Sequence, residues 1–402
     1  MRILIGGVPF GRNNVGDEAI LECVVRIVRE ASPGAELTVS TDDGPATAAR
    51  LGVKTVELFG FEPPYSRARM EEELAAHDAF VWGGATGLSD YPEIPAEMLR
   101  IARRAGRRTV MWAVGMNDRL NPAKYRLGGR RRKLLAAASA LTGGLWDAVA
   151  WRERAMEARA RARVAAALEG CDLAVVRDPA SVGELRRCGV RREVVVGADS
   201  ALELRPSPWE SARISGDARR FLAEPGPKVG ICVSAQRQVA SLDRLAALLD
   251  SVVEGEEASV VFIPMNPLTD ARLMAGLRGA MKRKERACVV EGRLDPGEVL
   301  AVASRMDVIA SSRLHLLIFA SIAHVPVVGI SRGSKVDAFL EPFGLRAVGS
   351  TEDCDFGRLR GEIARLLRGR AGFEATSRKV REELLARLGE AKRRLAAALS
   401  PR

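Results

Sequence analysis

The stretch Val308-Ile309-Ala310-Ser311-Ser312-Arg313-Leu314-His315-Leu316-Leu317-Ile318-Phe319-Ala320-Ser321 reads as a strand, a two-serine turn and a very apolar helix. A strand apolar on both faces, passing at once into a helix, belongs in a parallel sheet covered on both sides. Another apolar run, Val325–Gly329, follows directly, so the whole reads as one strand-helix-strand unit. The same plan extends outward. Ahead of it, strands are expected at Val229–Val233, Val260–Ile263 and Ala287–Val290. In the first half they are expected at Arg2–Ile5, Glu36–Ser40, Thr55–Leu58, Ala79–Trp82, Thr109–Val114, Leu173–Val176 and Val194–Val196. Helical stretches such as Asp17–Glu30 and Pro95–Ala105 separate them.

At 402 residues the chain exceeds one ordinary hydrophobic core, so two domains are expected. The pattern predicts an α/β fold of two doubly wound, Rossmann-like domains facing a cleft. Residues 1–205 form the first and 228–350 the second. Between them, Pro206, Pro208, Pro225 and Pro227 bracket a linker over 206–227. Residues 351–402 close the chain as helices, the last with apolar positions at Val380, Leu384, Leu385, Leu388, Ala391 and Leu395. Such sheets bind ligands beyond the carboxyl ends of their strands.

Six cysteines are scattered without a CxxC pair or a nearby histidine at metal spacing. Neither a disulfide framework nor a metal site is expected, and a reducing cytoplasm suits the pattern. The N-terminal MRILIGGVPF enters a strand with no apolar signal region, which also points to the cytoplasm. The net charge of +11 is concentrated: Arg119 to Gly170 holds twelve Lys/Arg against four Asp/Glu. A local basic patch calls for an acidic partner. Aromatics make up only 5% and none interleave with arginine as a base-stacking platform would need, so no nucleic acid is expected. Within the basic segment, Arg130–Lys133 and Arg152–Arg163 flank a weakly apolar stretch with Trp146 and Trp151. It is too interrupted to span a bilayer. Two readings stay open: a helical hairpin with a solvated basic face, or peripheral contact with an anionic membrane on its cytoplasmic side.

Candidate site residues follow strands. After the first, Gly11-Arg12-Asn13-Asn14-Val15-Gly16-Asp17-Glu18 leads into a helix, as a Gly-rich turn capped by Asp17 or as an anion-receiving loop. It lacks the dinucleotide GxGxxG fingerprint. Gly83-Gly84-Ala85-Thr86-Gly87 gives either a tight turn or a backbone that a substrate can approach. Val176-Arg177-Asp178-Pro179-Ala180-Ser181 ends a strand and opens a helix, with Asp178 or Ser181 as cap and Arg177 aimed at the cleft or paired to Asp178. Arg313 and His315 stand at the mouth of the apolar helix. Another small and cationic cluster, Ser331-Arg332-Gly333-Ser334-Lys335, follows the last strand.

The set GxxNxGDEA, GGATGLSD, VRDPAS, Gly197-Ala198-Asp199, Ile263-Pro264 with Asp270, and SSRLHLLIFASIAHVPVVGISRGSKV resembles the polysaccharide pyruvyl transferase family. The resemblance implies a GT-B-like fold and transfer of pyruvate from phosphoenolpyruvate onto a sugar hydroxyl of a cell-surface polysaccharide precursor. The product is a ketal, with phosphate released. It puts Arg177, Arg313 and His315 at the family's phosphoenolpyruvate-binding and catalytic positions. Asn13, Asp17, Gly83, Gly84, Asp178, Ser181, Leu314, Ser331 and Lys335 then fall among the substrate-binding positions. No cofactor is implied, since phosphoenolpyruvate is a substrate; the acceptor sugar travels on a nucleotide or a lipid. Two arginines suit a small anion because each fork can grip an oxyanion pair. His315 can carry one of the two proton transfers, with Asp17 or Asp178 as its complement. The chain departs from the family at Ala85, where a third glycine is usual, and in its longer basic segment between Asn117 and Cys171. Two alternatives remain: a GT-B nucleotide-sugar glycosyltransferase, and a member that binds glycan without catalysis.

Overall fold

The computed structural model describes residues 1–61, 65–143, 145–235 and 241–400. Among these described residues, twelve strands form two sheets, parallel throughout. The first holds β1 (Arg2–Gly7), β2 (Glu36–Ser40), β3 (Lys54–Val56), β4 (Ala79–Gly83), β5 (Arg108–Val114), β6 (Leu173–Val176) and β7 (Val195–Val196), in the order β3-β2-β1-β4-β5-β6-β7. The second holds β8 (Lys228–Cys232), β9 (Ser259–Phe262), β10 (Ala287–Val289), β11 (Val308–Ser311) and β12 (Val327–Gly329), in the order β10-β9-β8-β11-β12. The central strands are buried along nearly their whole length, as a sheet covered on both faces requires, while the edge strands β3, β7 and β10 are only partly buried.

In each sheet the strand order reverses beside the first strand, between β1 and β4 and between β8 and β11. Loops leaving neighbouring strands at such a point part to opposite faces and leave a crevice at the carboxyl edge. The loops after β1, β4, β8 and β11 are therefore the ones placed to receive a ligand. The first and the last of these carry Asp17 and His315.

Local chemistry explains where elements stop. The first helix, Val15–Ala31, is capped by Asn14, whose side chain accepts from Gly16 N at 3.3 Å. Asp17, which the sequence offered as cap, lies within the first turn, three residues past the cap, and is left for the cleft. The strand expected over Thr55–Leu58 ends at Val56. There Ser40 Oγ donates to the carbonyl of Glu57 and accepts from Phe59 N, both at 3.0 Å, and so replaces the ladder. The proline-bracketed 206–227 segment is packed rather than loose. It forms a 3-10 turn at Trp209–Ser211 and a helix at Gly216–Ala223. Arg213 forks onto Glu298 at 2.9 to 3.2 Å, while Trp209 lies under the guanidinium of Arg305 at 3.9 Å.

The closing helix runs Arg370–Leu399, longer than its apolar period suggested, and crosses back onto the first domain. It lies against the first helix and the β5–β7 edge. Lys392 pairs with Glu30 at 2.6 Å and Glu203 at 2.8 Å, and Arg108 donates to the carbonyl of Ala398 at 3.3 Å. Leu388 and Leu395 are fully buried in this seam. Leu388→Ala is expected to cost about 2–5 kcal/mol, the ordinary penalty for emptying a buried leucine site. Urea unfolding followed by circular dichroism measures it, and an unchanged midpoint would mean that the helix does not clasp the two domains.

Candidate active site

The cleft between the sheets contains a cavity of about 420 Å³ lined by Asn14, Asp17, Arg177, Arg313, His315 and Lys335, with Ala85, Thr86, Asp90 and Arg332 around them. Its walls come from the loops after β1, β4, β6, β11 and β12. A second, outer cavity of about 650 Å³ shares Asp90, Tyr91, Arg332 and Lys335 with it and continues along Asn117–Pro122. The site is thus a small inner chamber opening into a larger groove.

Arg313 is held hard. Its Nε and Nη2 donate to the two oxygens of Asp270, at 2.9 and 2.7 Å, and both side chains are buried. The fork that the sequence assigned to a ligand oxyanion faces a protein carboxylate, so Arg313 serves the chamber as a fixed positive wall. Arg177 is similarly placed, with Nη1 3.2 Å from Asp199 and Nε 3.4 Å from Asp178. Asp178 caps the helix Pro179–Cys188 through Ser181 N at 2.7 Å.

His315 sits in the first turn of the helix Leu314–Ile322 with its ring against Gly16 of the other domain. A Cβ on Gly16 would come within 2.2 Å of Nδ1, so only glycine admits the imidazole there. Its Nε2 lies 3.7 Å from Asp199 Oδ2 and makes no hydrogen bond among the described residues. Burial pushes the imidazole down to about 4; Asp199 pulls it up, and Arg177, Lys335 and Arg313 push it further down. Asp17 moves the opposite way. Burial, then Glu18, push its carboxyl up to about 7 against the pull of Lys335 and Arg313. Asn14 Nδ2 donates to it at 2.6 Å. Lys335 is pushed down to about 8, chiefly by burial.

The other sequence candidates divide. Leu314 lines the chamber, Ser331 lines the groove while donating to Asp337 at 2.7 Å, and Asp178 borders a shallower hollow beside Phe339. Asn13 does not reach the chamber. It adopts φ 59° and turns into a separate hollow with Glu18 and Arg50, leaving Asn14 facing Asp17. Gly83 and Gly84 also miss it, since side chains there would meet Val24 and Ile20 of the first helix. They are small to let β4 close on that helix, and the next residues, Ala85 and Thr86, form the wall. Ser181 is fully buried; its hydroxyl donates to Asp178 at 2.8 Å and accepts from Met116 N at 2.9 Å, bracing the loop from behind. In the sequence, Gly16, Asp199 and Asp270 belong to the motif set without a role of their own, and Gly115 lies outside it. A side chain on Gly115 would strike the Arg177 guanidinium at 2.6 Å. Membership of the motif set, and for Asp199 its position just beyond β7, were the available signals.

No cluster of His, Cys, Asp and Glu able to hold a metal occurs among the described residues.

This is a two-domain α/β protein of GT-B architecture with a cationic chamber at its switch points. Its fold resembles Anabaena HepE in complex with UDP-glucose, at TM-score 0.61 and 13% identity over 99% of each chain. It also resembles the Neisseria meningitidis UDP-GlcNAc 2-epimerase bound to UDP-GlcNAc, at TM-score 0.59 and 11% identity over 96% of this chain and 100% of that one. The glycotransferase of kitacinnamycin matches at TM-score 0.58 and 15% identity over 99% of each chain. No curated protein sequence matches significantly. The sequence model of the polysaccharide pyruvyl transferase family matches residues 14–334, and the chain belongs to that family.

Gly16→Ala tests the seating of His315. The methyl group must push the ring aside, and displacement of a reacting group by an ångström can cost on the order of 10²-fold in rate. The expected result is that loss of turnover with a wild-type melting temperature; full activity would show that the ring tolerates another seat.

Proposed function

We propose that this chain transfers pyruvate from phosphoenolpyruvate onto two hydroxyls of a sugar in a cell-surface polysaccharide precursor, forming a ketal and releasing phosphate. The carrying observation is that Asp17, Arg177, Arg313, His315 and Lys335 converge on one small chamber in a chain of the pyruvyl transferase family. The donor is compact and multiply anionic, and the three cations surround a space of its scale. Lys335 gains most, because an anion beside it offsets the burial that depresses its charge. The acceptor sugar, on its nucleotide or lipid carrier, lies in the outer groove with its hydroxyls turned inward.

Opposite displacement of two proton affinities assigns the acid and the base. Near neutrality His315 is an unprotonated base, while Asp17 keeps its proton for much of the time. Asp17 delivers that proton to the donor methylene carbon. As C2 becomes electrophilic, the first sugar hydroxyl adds to it and gives its proton to His315. The imidazolium then returns a proton to phosphate as the C2–O bond breaks. The second hydroxyl closes the ketal and passes its proton to the Asp17 carboxylate, which restores the starting state. The cations hold the charge that develops on the phosphate oxygens. Asp199 orients and steadies the imidazolium from 3.7 Å.

His315→Ala is expected to lower turnover by about 10²–10⁴-fold while leaving phosphoenolpyruvate affinity nearly intact. The measurements are phosphate release with a panel of sugar acceptors, product mass, and calorimetric binding of the donor. A variant with a tenth or more of wild-type turnover would remove His315 from the chemistry. Glycosyl transfer from a nucleotide sugar, with no phosphate released from phosphoenolpyruvate, would replace the proposal by a glycosyltransferase.

The pH profile tests the two roles separately. Activity needs neutral His315 and protonated Asp17, so kcat/KM should fall below about pH 4 and above about pH 7. Loss of the Lys335 charge, near pH 8, adds to the alkaline limb. Lys335→Arg keeps its charge through that range, so a limb that persists near pH 7 in this variant belongs to Asp17. A limb abolished by the change would assign the alkaline titration to Lys335 instead.

A further inference from the structure

The basic segment folds as a hairpin of two helices, Gly129–Leu141 and Ala148–Glu169. Its root is anchored: Ala160, Val164 and Leu168 are buried, and the second helix packs along the helix Glu93–Arg104. Its outer part is not. The first helix buries no residue, and the first three turns of the second bury only Ala148 and Glu153.

That free end is apolar where a solvated hairpin should be polar. Five of the seven large hydrophobic side chains exposed among the described residues are Leu134, Leu141, Leu145, Trp146 and Trp151. Leu141 and Leu145 are 89% and 95% exposed. Leu134 and Leu141 are two turns apart on one helix face, and the rings of Trp146 and Trp151 meet at 5.8 Å between centroids. Clustered exposed apolar groups of this kind mark a surface meant to be covered. The charge beside them says by what. Arg130, Arg131 and Lys133 make no ion pair among the described residues, and Arg152 and Arg154 add two more cations. Glu153, one of the few acids nearby, is committed to Arg126 at 2.6 Å.

We propose that the hairpin end docks on an anionic lipid bilayer, with the leucines and tryptophans in the interfacial layer and the arginines among the headgroups. Tryptophan and leucine beside lysine and arginine are the groups that sit stably at that depth. No helix among the described residues is long and apolar enough to cross a membrane, so the contact is peripheral. The hairpin is also continuous with the outer groove. The loop Asn117–Pro122 that lines the groove leads through the short helix Pro122–Tyr125 into it, and Arg161 of its second helix donates to the carbonyl of Asp118 at 3.0 Å. Docking therefore places the groove beside the lipid surface. Delivery of the acceptor from that surface rests on the pyruvyl-transfer reading, whereas the docking does not.

The test is co-sedimentation of the full chain with vesicles of phosphatidylcholine alone or mixed with phosphatidylglycerol, at low and high salt. Wild type should pellet only with the anionic vesicles and less at high salt. Arg130→Glu/Arg131→Glu/Lys133→Glu should lower vesicle partitioning by about 100-fold or more. Leu141→Ser/Leu145→Ser/Trp146→Ser should abolish it at high salt, where the apolar contribution remains. Both variants should keep wild-type melting and wild-type phosphate release with a soluble acceptor, so failure of docking and failure of pyruvyl transfer give different results. Wild type left in the supernatant overturns the proposal, as does binding indifferent to lipid charge or to both variants. Analytical ultracentrifugation showing a dimer that the serine variant splits, without vesicle binding, would make the hairpin an interface between copies.

Discussion

The site depends first on one carboxylate with no access to water. Asp270 is fully buried, and its two oxygens receive both nitrogens of the Arg313 fork together with the backbone N–H groups of Ala235 and Asn266. Burying a charge is costly unless it is paired and its lone pairs are filled, and here both conditions are met. The three groups that Asp270 gathers leave β8, β9 and β11 at their carboxyl ends. A single ion pair therefore sets the relative heights of three loops and presents Arg313 at the chamber in one orientation. The cost of burial is offset by order where the reaction needs it.

The domains meet around a comparable economy of contact. Val15 N, at the head of the first helix, donates to the carbonyl of Met265 in the second domain at 2.9 Å, and the next residue, Gly16, receives the ring of His315. Asp17 follows in the same turn. His315 and Asp17, the proposed base and acid, are consequently contributed by different domains but positioned through three consecutive residues of one helix terminus. The closing helix, laid across both domains, holds that registration from outside the cleft.

The sequence was legible wherever the information was periodic. Among the described residues the strands lie at or within a few residues of where the sequence placed them, with β3 shifted toward the N-terminus, because a doubly covered parallel sheet leaves a continuous apolar pattern. Residues at strand ends were legible for the same reason: Arg177, Arg313 and His315 come within a few residues of the ends of β6 and β11, and Lys335 stands at the head of the helix after β12. Partners distant along the chain left no such trace. Arg313 and Asp270 are 43 residues apart and Arg177 and Asp199 are 22 apart, so the sequence does not show which carboxylates hold these two guanidiniums in place. Asn13 and Asn14 are chemically alike, and only the left-handed backbone at Asn13 decides which of them faces Asp17. The glycines at 83 and 84 look alike in sequence whether they admit a substrate or a neighbouring helix. The neighbour, Val24 and Ile20, is visible only once the first helix is packed.

The same burial acts on Asp17 and His315 with opposite chemical results. Desolvation penalises whichever form is charged, so the carboxyl keeps its proton and the imidazole loses one. The surrounding cations add to this effect at His315 and resist it at Asp17, where Lys335 and Arg313 favour the carboxylate. An anion entering the chamber screens those cations. It removes the influence that draws the proton off Asp17 and contributes its own repulsion of the carboxylate. Under the proposed mechanism, binding of an anionic donor therefore loads Asp17 at the moment an acid is required. It also eases the pressure on His315, raising the imidazole toward a range in which it can accept a proton and release it again. The chamber needs no moving part for this coupling: two buried groups of opposite proton affinity, set among fixed cations, respond to the charge of the ligand itself.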